Sequence, residues 1–147
     1  MNDGGEKRIK RIVGVFENER DGLVVALNKC RQAEEYASRT LEDAIAREQE
    51  ALRARSEGNA ADWEQEAAWR VHLGRLREVA EAQHERSKVL TASAIERVRE
   101  SDSRVRKVGV VLDRMAEERK RDEARQERKA EDEWVAANHS SPQFAAT

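Results

Sequence analysis

The chain has 147 residues, of which 39% are charged, 38% apolar and only 4% aromatic, a poor composition for a compact globule. Its 28 basic and 30 acidic side chains leave a net charge of −2. That balance argues against nucleic acid as a partner, because such binding uses a basic excess to neutralise phosphates. No apolar run approaches the roughly 20 residues needed to span a bilayer, so membrane insertion is not expected.

The opening residues, Met1 to Glu6, lack the basic-then-apolar layout of a signal peptide. From about residue 5 to 56 the pattern is helical. Ile9, Phe16, Leu23, Cys30, Ala37, Ala44 and Ala51 recur every seven residues. A companion stripe reads Val13, Arg20, Leu27, Glu34, Leu41 and Glu48, with only alternate members apolar. Two such stripes are the signature of a left-handed coiled coil. Cys30, the single cysteine, has no partner for an intramolecular disulfide, which fits a reducing compartment. The expected location is cytoplasmic.

The segment from about 57 to 62 holds the stop and start signals. Gly58 and Asn59 suit a helix C-terminus, and Asp62 is a candidate N-cap for the next helix. A hairpin turn is expected here.

The second helix, about 63–138, carries a stripe of Trp69, Leu73, Leu76, Ala80, Gln83, Ser87, Leu90, Ala94, Val98, Ser101, Val105, Val108, Leu112 and Met115. Two successive four-residue steps around Ala94 read as a stutter. Folding back at Gly58–Asn59 sets Ala51 against Trp69, Ala44 against Leu76, Ala37 against Gln83 and Cys30 against Leu90. Farther on it sets Phe16 against Val105 and Ile9 against Leu112. Gly14 and Gly109 then fall at one level, where a close approach or bend is expected, and Asp21-Gly22 is a candidate break in the first helix. Beyond Met115 no first-helix residues remain to pair. The charged segment from Glu117 to Trp134 is expected to continue as an overhanging helix, supported by ion pairs at helical spacing. Residues 140–147, with Pro142, are expected to be a disordered tail. The predicted fold is all-α: a long antiparallel two-helix coiled-coil hairpin over residues 1–139, with an overhanging C-terminal helix.

Chemistry is sparse. His72, His84 and His139 do not combine with Cys30 or with carboxylates at metal-ligand spacing, and no glycine-rich phosphate loop is present. Neither catalytic residues nor a cofactor or metal are expected. Two features stand above a merely solvated coiled coil: the basic run Lys7-Arg8-Ile9-Lys10-Arg11, and Trp63 and Trp134, which lack an obvious intramolecular partner.

Two stretches carry a family resemblance. Trp69-Arg-Val-His-Leu-Gly-Arg-Leu-Arg-Glu-Val-Ala-Glu-Ala-Gln-His84 and the Arg/Glu-rich run from Arg119 to Trp134 are similar to segments of the FliJ/YscO family of bacterial type III secretion, flagellar and injectisome. The resemblance implies a stalk like the γ subunit of rotary ATPases. Its free end would enter the hole of the hexameric export ATPase. Its helix beyond the turn would touch the export-gate cytoplasmic domain, and export chaperones would be further partners. The implied gate-facing residues are Leu73, Arg77, Ala80 and His84. Arg77 stands where the family has an apolar residue, and Leu76 beside it takes that part. The implied ATPase-facing residues are Lys7, Arg8, Lys10, Arg11, Arg119 and Arg121. The competing expectation is a scaffold coiled coil unrelated to secretion; an RNA-binding hairpin is disfavoured by the charge balance.

Overall fold

The computed structural model describes residues 3–54 and 60–145. They form two α-helices, α1 (Asp3–Arg53) and α2 (Ala60–Ala145), which pack against each other. No described residue is in a strand. No described helix is long and apolar enough to cross a membrane.

α1 runs unbroken through Asp21-Gly22, where the sequence offered a break. One weak helix former inside a long packed helix costs about 1 kcal/mol, too little to interrupt hydrogen bonding that is already propagating. The last turn closes with the Ala54 amide donating to the Glu50 carbonyl at 3.0 Å. Gly58 and Asn59, the expected turn residues, lie outside the described residues. Asp62 stands within the first turn of α2 and not ahead of it as a cap. There its carboxylate still suits the positive end of the helix dipole.

At the other end α2 continues to Ala145, past residue 138 where the sequence suggested a stop, and through Pro142. Extending an established helix costs little per residue, and a proline so near the end removes few backbone bonds.

The helices divide into two units. The hairpin unit comprises Glu19–Asp102, and the terminal unit comprises the chain up to Asn18 together with Ser103 onward. Within the hairpin unit the helices are antiparallel. Arg20 pairs with Asp102 at 3.7 Å, while Glu48 near the end of α1 pairs with Arg77 near the start of α2. The apolar core of the described residues is small: Leu27, Ala37, Leu73 and Ala80, all in the hairpin unit.

The glycines at which a close approach or a break was expected do not mark a tight crossing. At Gly14, Gly22 and Gly109 an added Cβ would meet nothing within 4 Å. The close approach expected at Gly14 and Gly109 is therefore absent, because the intervening space is left open. All three sit in helix with no positive φ. Replacing each by Ala should raise stability by about 1 kcal/mol, read as a higher urea midpoint at unchanged slope. A loss of stability in any of the three would show that the glycine serves a contact this geometry lacks.

Candidate interaction surface

The surface follows from how α2 presents its stripes in the hairpin unit. On α1, both sequence stripes face inward. Leu23, Leu27, Cys30, Ala37, Leu41, Ala44 and Ala51 are buried or half-buried, and so are the charged members Arg20, Glu34 and Glu48. On α2, the residues turned inward are Glu66, Arg70, Leu73, Arg77, Ala80, His84, Ser87, Thr91, Ala94, Val98 and Ser101. This series alternates four- and three-residue steps throughout. The stutter read at Ala94 is absent because Thr91, and not Leu90, is the seam residue there. Trp69, Leu76, Gln83 and Leu90 are exposed. Each lies one residue, or about 100° of helix rotation, from the position that faces α1.

Among the polar seam positions, Arg70, Arg77 and Thr91 each find a partner. Arg70 donates from Nε to the Ala51 carbonyl at 3.3 Å and from Nη2 to the Ala54 carbonyl at 3.1 Å. Arg77 donates from Nε to Glu48 Oε2 and from Nη1 to Glu81 Oε1 at 2.8 Å. Bonds to Glu81 and then Glu48, with attraction to both carboxylates, raise its pKa above the ordinary arginine value, so the guanidinium stays charged. Thr91 Oγ1 donates to the Ser87 carbonyl at 3.0 Å, one turn back on the same helix.

The displaced apolar residues instead wall a groove. One part, of about 310 Å3, is lined by Ala51, Ala54, Trp69 and Arg70, among others. The next part, of about 420 Å3, is lined by Tyr36, Ala44, Leu76 and Val79, with Gln83 at its end. Arg47 and Leu73 line both, so the two parts are continuous. Tyr36 is 75% exposed, Trp69 55% and Leu76 42%. Trp69 also lies 5.5 Å, centroid to centroid, from the ring of His72. Tyr36 and Val79 escaped the sequence reading because neither belongs to a heptad stripe; Val79, three residues past Leu76, is the visible signal.

The implied gate-facing residues therefore separate. Leu73 and Ala80, at 3% and 4% exposure, are core, because the alternating spacing turns them toward α1. They contribute only the floor of the groove. Arg77 and His84 are half-buried in the seam, and Leu76 alone of the set is open to solvent.

In the terminal unit, Lys7, Arg8, Lys10, Arg11 and Arg121 are all exposed. Arg119 differs. Its Nη1 donates to Glu6 Oε2 at 2.7 Å, Glu6 is only 4% exposed, and Glu123 lies 3.8 Å from Arg119 Nε. Ile9, Val13, Phe16, Val105, Val108, Leu112 and Met115 are half-buried, as their stripes require. From Lys120 to His139 every residue of α2 is exposed, Trp134 included.

No family model, curated protein or solved structure matches this chain.

The two arginines near the end of that packing should behave differently. Arg119→Glu sets a second carboxylate against the buried Glu6 and should lower the melting temperature by several degrees. Arg121→Glu should leave it unchanged. Thermal melts followed by circular dichroism compare them directly. Equal melting temperatures would remove the Glu6–Arg119 bond from the stabilising contacts.

Proposed function

We propose that the chain is a protein-binding stalk of the type III secretion export apparatus, which engages and activates the hexameric export ATPase and links it to the export gate and export chaperones. The observation that carries this reading is the stretch from Lys120 to His139, a helix exposed at every residue and rich in charge of both signs as far as Glu133. Isolated helices are marginal in water, and ion pairs at helical spacing contribute only a few tenths of a kcal/mol each. Twenty such residues add nothing to a core. A helical overhang of this kind, about 30 Å long, suits insertion into the central channel of a ring.

The exposed cations Lys7, Arg8, Lys10, Arg11 and Arg121 would steer that encounter, while Arg119 holds Glu6 and so helps fix the geometry. Leu76 is the apolar residue that a monomer offers to an export gate, with His84 at the edge of the seam. On this reading the protein acts in the cytoplasm, peripheral to the secretion apparatus, through contacts and not through chemistry of its own.

Co-purification with a hexameric export ATPase tests it. Retention that weakens with salt is expected. Failure to retain the ATPase at low salt, with the chain folded, would favour a scaffold coiled coil unrelated to secretion.

A further inference from the structure

We infer that the groove of the hairpin unit is closed by a second copy of this chain, packed about a two-fold axis that sets Asp43 of each copy beside Arg47 of the other. The inference goes beyond the stalk reading and does not depend on it.

The first ground is the shortage of core. Only four apolar side chains among the described residues are buried, two of them alanines, and no large side chain is completely enclosed. A pair of helices with so little interior gains stability chiefly by adding a further layer. The groove offers the place. From Glu66 to Gln83 it follows α2 for about 25 Å, with large exposed residues on its rim (Tyr36, Trp69, Leu76, Val79) and small ones within (Ala44, Ala51).

The second ground is that this relief suits a copy of itself. An isologous interface needs one surface that supplies both the projections and the recesses. Rim side chains of one copy fit over the alanines of the other. The charges repeat the pattern. Asp43 and Arg47 are four residues apart on α1, flank Ala44 near the middle of the groove, and form no ion pair among the described residues. A two-fold axis through that middle sets the partner's Arg47 beside Asp43 and the partner's Asp43 beside Arg47. A ligand of one sign would be attracted by one residue and repelled by the other.

Sedimentation of the full chain alone tests this. A reversible monomer–dimer equilibrium is expected in the micromolar range. Val79→Glu, on an exposed rim position, should give a monomer with unchanged helicity. Asp43→Arg should raise the dimer dissociation constant at least about tenfold by setting like charges together, and adding Arg47→Asp should restore it. A chain that stays monomeric throughout, or a dimer that survives Val79→Glu, would overturn the proposal. So would a double variant no better than Asp43→Arg. A monomer whose Tyr36 becomes protected only on adding another protein would assign the groove to that protein instead.

Discussion

Leu73→Asp should abolish the cooperative melt of the hairpin unit, whereas Leu76→Asp three residues on, compared at a concentration where the chain is monomeric, should leave the melting temperature within a degree or two. The contrast follows from burial. Leu73 is 3% exposed and faces α1; Leu76 is 42% exposed on the groove rim. Truncating a buried leucine to alanine costs about 2–5 kcal/mol, and an unpaired carboxylate in the same place costs more. Whole domains hold only about 5–15 kcal/mol, and a unit with this small a core sits low in that range. Surface substitutions cost about 0.5 kcal/mol. Chemical denaturation of both variants decides the matter. If Leu73→Asp melts like the parent, that position faces solvent and a different face of α2 packs on α1.

On the proposed stalk function, removing the chain from Asp122 onward should leave both units folded and eliminate stimulation of the export ATPase. The cut is placed there because Arg119 must stay to satisfy Glu6, whereas every residue from Asp122 to His139 is exposed. The melting temperature should therefore change little while total helicity falls by the share deleted. Charge reversal at Arg8 and Arg11 should weaken stimulation more at low salt than at high salt, since exposed charges act over a Debye length of about 10 Å at 0.1 M. Full stimulation by the truncated chain would take the exposed helix out of the mechanism and leave the packed part of the terminal unit as the active element.

The sequence made the fold legible where spacing and hydrophobicity agree. Along α1 both stripes turn inward, and the charged members Arg20, Glu34 and Glu48 follow because the seven-residue repeat carries them. Along α2 the two signals part company. Trp69, Leu76 and Leu90 are the more apolar residues, but Arg70, Arg77 and Thr91 hold the alternating spacing, and the spacing wins. The reason is visible only once the helices are in register. Glu48 and the carbonyls of Ala51 and Ala54 bind the two arginines, so the seam accepts them and the apolar neighbours are left outside. The candidate surface was legible in the same partial way. The resemblance points to Leu76, yet Tyr36 and Val79 enter the surface only because two helices bring them to one groove.

Steady-state ATP hydrolysis by a hexameric export ATPase, followed as the intact chain is titrated in, tests the proposed function most directly. The rate should rise with added chain and saturate. A rate that stays flat while the chain remains folded, at low salt and in excess over the ATPase, would contradict the stalk.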